Sequence, residues 1–457
     1  MTGADPAGSA VYGHLWATQE TRDLFDDRGR TRAWLEIVAA LAAVQGALGI
    51  IPARAAEEIA SVAPGAQLDL VAVGEETRRS GHSALGLIRV LQRQLGPDAA
   101  DWVYHGATVQ DVSDTWTGLV MQRMLAIARR DLGAVEGALL TLADEHRDTL
   151  MLGRTHGQPG LPITFGFKAA LWAAEIARHL ERLAQAEPRL AVGQLAGAVG
   201  TQSSWGDRGP ELQRRLMARL GLGVPDASWL TARDRVAEYM TLLALITGTL
   251  AKIGNEVYNL QRAEIGELSE ATESGVVGSI TMPQKRNPER SEHLWTLARV
   301  VRAGSGLALE GLVGEHERDG AAWKTEWAFL PQASSAAATA LASASELLAG
   351  LHVDVGRMRA NLDAQGGHVL AEPVMLALAE RVGKHRAHEL VHRVAALERR
   401  AGRSLAEAVS GDPEIAAHLS PDALAELMRP ELSLGAAGAV IDDVRARARA
   451  RTGAARS

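Results

Sequence analysis

Apolar residues recur at three- and four-residue spacing over most of this chain, and strand-like alternation of apolar and polar positions is nearly absent. The first clear helical run is Arg32 to Leu48, which stops at Gly49 and Pro52. Further runs cover Val112 to Leu150, Ile163 to Ala186, Arg233 to Glu270, Pro288 to Leu312 and Pro331 to Leu351. Several reach roughly 20 residues or more, well above the globular mean of about 11 or 12. The pattern predicts an all-α fold built on a central bundle of long helices. Boundaries are expected near Gly106 and Val355, dividing the chain into an N-terminal helical domain (1–106), a long-helix bundle domain (107–355) and a C-terminal helical domain (356–457). The last ends in an Arg/Ala-rich tail, Arg445 to Ser457, that reads as a frayed helix, and no repeat of fixed period is visible.

At 457 residues the chain exceeds what one hydrophobic core usually organises. Hydrophobic residues make up 47% of it, yet there are only 4 Phe and 4 Tyr, so Ala, Leu and Val must do most of the packing, as suits close-set helices. A net charge of -7 without long basic or acidic blocks argues for a soluble protein and against nucleic-acid or membrane-surface partners. The absence of cysteine excludes disulfides, thiolate metal sites and cysteine nucleophiles, and fits a cytoplasmic protein. Met1 to Gly13 lacks an apolar core and reads as a disordered leader rather than a signal peptide. The longest nearly uncharged stretch, Tyr239 to Ala251, falls short of the roughly 20 apolar residues of a membrane span and reads as a buried core helix. No dinucleotide or phosphate-loop pattern is present, so no cofactor is expected. His385, His388 and His392 share one helix face, as metal ligands would, but they stand among Lys384, Arg386 and Glu389, and a solvated face without metal is the plainer reading.

Chemistry is expected in the polar, glycine-rich interruptions between the long runs, since catalytic groups tend to sit on loops held by rigid elements. The first is Gly278-Ser279-Ile280-Thr281-Met282-Pro283-Gln284-Lys285-Arg286-Asn287-Pro288, preceded by Gly275. Asn287, Pro288 and Glu289 form a helix start: a capping residue type, a proline at the first helical position and an acid in the first turn. A plain connector needs nothing more. The serine, lysine and asparagine gathered behind glycines suit a lid closing over an anion. The second is Gly153-Arg154-Thr155-His156-Gly157-Gln158-Pro159, set between two long helices, whose histidine alone would pass for a structural or solvated turn residue. The third is His105-Gly106-Ala107-Thr108-Val109-Gln110-Asp111-Val112-Ser113-Asp114-Thr115, leading into a helix that starts near Val112. There the backbone amides and the Thr108 hydroxyl either cap the helix or face a bound carboxylate, which the dipole favours.

Taken in order, these loops resemble the signatures of the fumarase/aspartase superfamily. The first is similar to Gly-Ser-Ser-x-Met-Pro-x-Lys-x-Asn-Pro, departing at Ile280, and the second to Gly-Arg-Thr-His-x-Gln-Pro. The third is similar to His-x-Gly-x-Thr-Ser-Gln-Asp-x-x-Asp-Thr, with Tyr104 in the histidine's place, His105 displaced by one and Val109 where the serine stands. The weaker resemblance runs from about Tyr12 to Leu390. It implies a homotetrameric helical bundle in which three subunits contribute to each composite active site, acting on a small di- or tricarboxylate. The catalytic residues it implies are Ser279, His156 and Glu292. Ser279, as the alkoxide, would remove a proton beside a carboxylate. His156, held by Glu292, would protonate, polarise or relay a proton to the leaving group. Lys285, Asn287 and loop amides would stabilise the doubly charged aci-carboxylate, at about 3 to 4 kcal/mol for each well-aimed donor. Thr108, Thr155 and Gln110 would orient the substrate carboxylates, with Met282, His82 and Ser83 completing the substrate-binding set.

Adenylosuccinate lyases carry Glu-Arg-Asp-Leu-Ser-x-Ser-x-x-Glu-Arg, whose serine and arginine grip the nucleotide phosphate. Here Glu317-Arg318-Asp319 is followed by Gly320-Ala321-Ala322-Trp323-Lys324-Thr325-Glu326-Trp327, and that grip is missing. Trp-x-x-Glu-Trp ahead of Leu330-Pro331, together with Glu20 to Pro52, resembles the 3-carboxy-cis,cis-muconate cycloisomerase branch. Val109, Ile280 and Gly81-His82-Ser83 depart from it. The resemblance therefore implies a lyase that breaks a carbon-nitrogen or carbon-oxygen bond in a small β-substituted succinate and releases fumarate, nitrosuccinate being one candidate. Lactonisation of a carboxymuconate stands second. A non-catalytic relative stands third, opposed by the joint presence of Ser279, Lys285, Asn287, His156 and Glu292.

Overall fold

The structure is a computed structural model that describes residues 6–271, 279–400 and 402–454. Gly275 and Gly278 of the first loop lie outside the described residues. Helices dominate, as the periodicity requires: α1 (Asp27–Ala47), α2 (Leu70–Ser80), α3 (Leu85–Gln92), α4 (Val109–Glu145), α5 (Phe165–Leu190), α6 (Asp234–Gln261), α7 (Glu289–Glu310), α8 (Gly320–Ala349), α9 (Val355–Asp363), α10 (Ala371–Val382), α11 (Lys384–Arg400) and α12 (Ala437–Ala454) carry the argument below.

Contacts divide the chain into two compact units. One comprises Met1–Asp131, His179–Ala251 and His293–Ser343; the other comprises Leu132–Arg178, Lys252–Glu292 and Ala344–Ser457. The boundaries fall inside or at the ends of long helices, so this division by packing differs from a division along the chain. In the first unit, Leu41, Leu195, Trp205, Leu212 and Met217 build a core cluster. In the second, Val374, Leu378, Leu390, Leu405 and Ile415 build another. Each fully buried side chain of this size contributes about 1.5 to 3 kcal/mol.

The first unit also buries charge. The Arg233 guanidinium, 2% exposed, donates to Asp114 on α4 at 2.9 and 3.2 Å and to Glu326 on α8 at 2.7 and 2.5 Å. Burial pushes both carboxyl groups above their ordinary range, against the pull of Arg233. The network satisfies groups that would otherwise be stranded, and it ties the first turns of α4 to α8.

Several predicted boundaries shift. Helix α4 starts at Val109, three residues earlier than expected, and α8 starts at Gly320, eleven residues before Pro331, which it contains. The Asp319 carboxylate explains the second shift: it accepts the N–H groups of Ala321 (2.8 Å) and Ala322 (3.2 Å), capping the helix, and those bonds hold its pKa below the usual range. Helix α6 is long and apolar enough by composition to cross a bilayer, with a mean hydropathy of 1.4 in its best window. However, 61% of that window is buried inside the protein, as expected of a core helix. Of the leader expected to be disordered, residues 1–5 lie outside the described residues, and the rest forms a 3-10 turn at Pro6–Gly8 and enters another at Gly13–Leu15, with the Ser9 hydroxyl accepting the N–H groups of Val11 and Tyr12. The tail expected to fray is α12 as far as Ala454, pinned by Arg445 to Asp144 (2.7 Å) and by Arg451 to Glu136.

Periodicity missed a β-hairpin, β1 (Leu150–Thr155) against β2 (Gln158–Thr164). Pro159 and Pro162 disguise β2, because proline cannot donate to a ladder. A second short pairing joins β3 (Leu268–Ser269) to β4 (His352–Val353).

Candidate active site

The first unit gathers polar groups at the start of α4. Thr108 immediately precedes the helix, and its N–H donates to the Asp111 carboxylate at 2.9 Å. Asp111 also accepts the N–H groups of Ala196 (2.6 Å) and Gly197 (3.1 Å), so it locks the helix start onto a neighbouring loop. Burial still pushes the Asp111 carboxyl up to about 6, outweighing those backbone donors. Gly106, at φ +77°, approaches Trp205 so closely that a Cβ would lie 2.5 Å from its indole nitrogen. No other residue fits that position.

Arg318, half-buried, reaches into this corner. Its Nη1 donates to the Thr108 hydroxyl at 2.7 Å and its Nε to the Gln110 side-chain oxygen at 3.2 Å. Gln110 is 1% exposed and donates its amide to Leu230 O at 2.7 Å, so both ends of its side chain are engaged and it stands behind Arg318. Arg318 makes no ion pair among the described residues: a cation is held by neutral partners at the positive end of a 37-residue helix. Asp319, the cap of α8, follows Arg318 directly, while Glu326 and Trp327 anchor that helix. Glu326 binds Arg233, and the Trp327 ring lies 5.1 Å from the Arg30 guanidinium. Sequence reasoning read Arg318 only as part of a broken phosphate motif and left it out of the site. The signal that would have found it was its place just ahead of the Asp319 cap.

Around this corner, Tyr104 stands at φ +66° with its hydroxyl buried and without a hydrogen-bond partner among the described residues, and burial pushes the phenol well above its ordinary range. His105 packs edge-on against Trp102, with ring centroids 5.0 Å apart, and Val109 is buried. His82 and Ser83 lie on the connector between α2 and α3, after Gly81 at φ +67°. The His82 Nδ1 accepts Ala84 N–H at 3.3 Å.

The second unit carries the other two loops. His156 and Gly157 form the two-residue tip of the β1–β2 hairpin, at φ +52° and +74°, both positive as a type I′ turn requires. A histidine held there is strained, and the ladder on either side over-determines it. Thr155 and His156 are exposed, and the His156 ring makes no hydrogen bond or ion pair among the described residues, so the expected His156–Glu292 pair is not made within this chain.

In the Ser279 loop the Ser279 Oγ accepts Met282 N–H at 3.0 Å, and Lys285 N–H donates to Met282 O at 2.9 Å. A backbone donor aimed at Oγ favours its ionised form. Lys285 and Met282 are exposed and Ile280 is 96% exposed, while the Asn287 amide donates to Glu289 at 3.2 Å. Glu292 sits in the first turn of α7 with its N–H on Pro288 O at 3.0 Å. His385, His388 and His392 lie on α11; His388 and His392 stack at 5.9 Å, and no group of potential ligands with metal geometry occurs among the described residues.

The chain is similar to known lyases. A family model described as lyase matches residues 14–303, and one described as adenylosuccinate lyase C-terminus matches residues 367–444. An N-acetyl-S-(2-succino)cysteine lyase of Dickeya dadantii is 40% identical over 95% of both chains. A fumarate lyase from Mesorhizobium sp. BNC1 superposes with a TM-score of 0.88 at 36% identity, covering 94% of this chain and 98% of that one. The 3-carboxy-cis,cis-muconate lactonizing enzyme of Pseudomonas putida superposes with a TM-score of 0.90 at 32% identity, covering 97% and 100%.

Proposed function

The chain belongs to the fumarase/aspartase superfamily of lyases, and on that premise we propose that it eliminates a thiol from a small S-substituted succinate and releases fumarate. The observation that carries the reading is Arg318, a cation without a carboxylate partner among the described residues, held by Thr108 and Gln110 at the start of α4. It supports a substrate with a carboxylate to offer. The leaving group follows from the similarity to a relative named for an N-acetyl-S-(2-succino)cysteine. The carbon-nitrogen and carbon-oxygen leaving groups expected above, nitrosuccinate among them, stand behind sulfur on that ground.

In the proposed reaction the Ser279 alkoxide takes the proton from the methylene carbon beside one carboxylate. Lys285, Asn287 and loop amides stabilise the resulting aci-carboxylate, and the carbon-sulfur bond then breaks as its electrons leave with sulfur. Arg318 and Thr108, backed by Gln110, hold the other carboxylate; Thr155, Met282, His82 and Ser83 complete the enclosure. His156, paired with Glu292, delivers a proton to the departing thiolate. A thiol has an ordinary pKa of about 8.5, so thiolate departs without much protonation, and His156 matters less here than it would for an amine. We assign the working enzyme to a cytoplasmic homotetramer in which each active site draws its loops from three protomers, with the chain divided at Gly106 and Val355.

A second reading, lactonisation of a carboxymuconate, is favoured by the Pseudomonas putida structural likeness and by Trp323, Glu326 and Trp327. An assay of the purified protein separates the readings. Fumarate and free thiol from N-acetyl-S-(2-succino)cysteine, abolished by Ser279→Ala, are the expected result. Fumarate from nitrosuccinate or adenylosuccinate alone would replace the leaving group. Loss of carboxymuconate absorbance without fumarate would establish the cycloisomerase, and silence across the panel would overturn both.

A further inference from the structure

Both reacting loops of the second unit emerge from stems tied to one short extended segment that neither loop contains. That segment leaves α6 at Gln261, and two of its three glutamates, Glu267 and Glu270, make those ties. Glu267 is fully buried. It receives both terminal nitrogens of Arg154 at 2.6 and 2.9 Å and the Asn361 amide at 2.8 Å. Its backbone is fixed too: its N–H donates to Leu260 O at 2.9 Å, and its carbonyl accepts Asp354 N–H at 3.0 Å. Arg154 lies two residues before His156, just past an irregularity in the β1–β2 register between Leu152 and Arg154. A bulge of that kind re-aims a side chain, and here the guanidinium meets Glu267. The hairpin is therefore gripped by its stem, and its tip stays exposed.

Glu270 performs the corresponding task for the Ser279 loop. Its carboxylate accepts Arg290 N–H at 3.1 Å, Ser291 N–H at 2.8 Å and the Ser291 hydroxyl at 2.6 Å. Those N–H groups are orphans of the first turn of α7, and a carboxylate among them also meets the positive end of the helix. Its own N–H is taken by the Gln261 side chain at 2.8 Å, so the glutamate is held as well as holding. Residues 270 and 290–291 bracket Ser279, Lys285 and Asn287, and Ser291 directly precedes Glu292.

We propose that Glu267 and Glu270 are positioning residues for the elimination: Glu267 sets the His156 hairpin through Arg154, and Glu270 sets Glu292 and the exit of the Ser279 loop through the first turn of α7. The proposal rests on the reaction assigned above for its kinetic consequence, but not for its structural one. Misplacement of a reacting group by about 1 Å costs on the order of 10²-fold in rate. Glu270→Ala is expected to lower kcat by about that factor with KM within about threefold, because the carboxylate-holding corner of the first unit is untouched. Glu270→Gln keeps an acceptor oxygen for the backbone donors and recovers most of kcat. Asn361→Ala weakens the grip on Glu267 without stranding a buried charge, as Glu267→Ala would, and produces a smaller fall in kcat.

Hydrogen exchange supplies a readout that does not depend on the substrate. Glu270→Ala should speed exchange at residues 286–292 and leave the hairpin at 150–164 unchanged, whereas Asn361→Ala should do the reverse. Unchanged exchange at those two segments would overturn the proposal even if the protein acts on another substrate. The expected exchange pattern without fumarate release would instead sustain the positioning and remove the elimination. A loss in KM alone, or a Glu270→Gln as slow as Glu270→Ala, would reduce Glu270 to a structural cap.

Discussion

The two units treat their polar groups in opposite ways. In the first, Thr108, Gln110 and Arg318 are locked to one another, and Asp111 and the Arg233 network fix the helices beneath them. In the second, His156 and Lys285 are exposed at the ends of loops whose bonds lie at their stems. Recognition of a carboxylate gains from groups ordered before the ligand arrives, since their ordering entropy is lost during folding rather than binding. Proton transfer needs groups that tighten only once the substrate is enclosed, so exposed tips on firm stems serve it better.

The comparison breaks most visibly at Ser279. Ser279→Ala is expected to slow fumarate release by roughly 10² to 10⁴-fold, the usual worth of a general base, with the unfolding midpoint unchanged because the side chain bonds only within its own loop. Steady-state rates beside a thermal melt check it.

Arg233→Leu should behave in the opposite manner, acting first on stability. It strands two buried carboxylates, which costs about 3 to 5 kcal/mol, and denaturant titration should show the loss. Any fall in activity should vanish when the folded fraction is taken into account.

If Arg318 holds the substrate carboxylate as proposed, Arg318→Met should lower kcat/KM by about 10²-fold, mostly through KM. Arg318→Lys should recover little of it. A point charge cannot donate at once to Thr108, Gln110 and a carboxylate in the geometry of a guanidinium.

The smallest effect concerns pH. The Asp111 carboxyl is raised from an ordinary 3.8 to about 6 in the fold. A raised acid contributes stability that is complete below its unfolded pKa and is lost as pH rises through its folded value. Wild-type stability should therefore decline between about pH 4 and pH 6 by at most roughly 3 kcal/mol on this account. Asp111→Asn should flatten that part of the profile in melts taken across the range.

Much of this architecture was legible in the sequence. Long runs at helical spacing announced α4, α5, α6 and α7, with ends within about five residues of those expected except at α6, which stops at Gln261 rather than Glu270. The hairpin was not legible, since its prolines and glycines look like loop punctuation and its stability comes from cross-strand pairing that periodicity cannot see. The polar loops could be picked out by composition, but the Arg318 contacts could not, because they join Thr108 and Gln110 to a residue more than two hundred positions away in sequence. Glu267 and Glu270 escaped for the same reason: their partners are set by the fold and not by neighbours along the chain.

The division of labour is tested most directly by calorimetric titration of fumarate into two variants. Ser279→Ala should bind fumarate within about twofold of wild type despite its slowed turnover, and Arg318→Met should lose binding by at least about tenfold, the worth of one charge-assisted bond. Equal losses in the two variants, or retained binding in Arg318→Met, would contradict a recognition corner separate from the reacting loops.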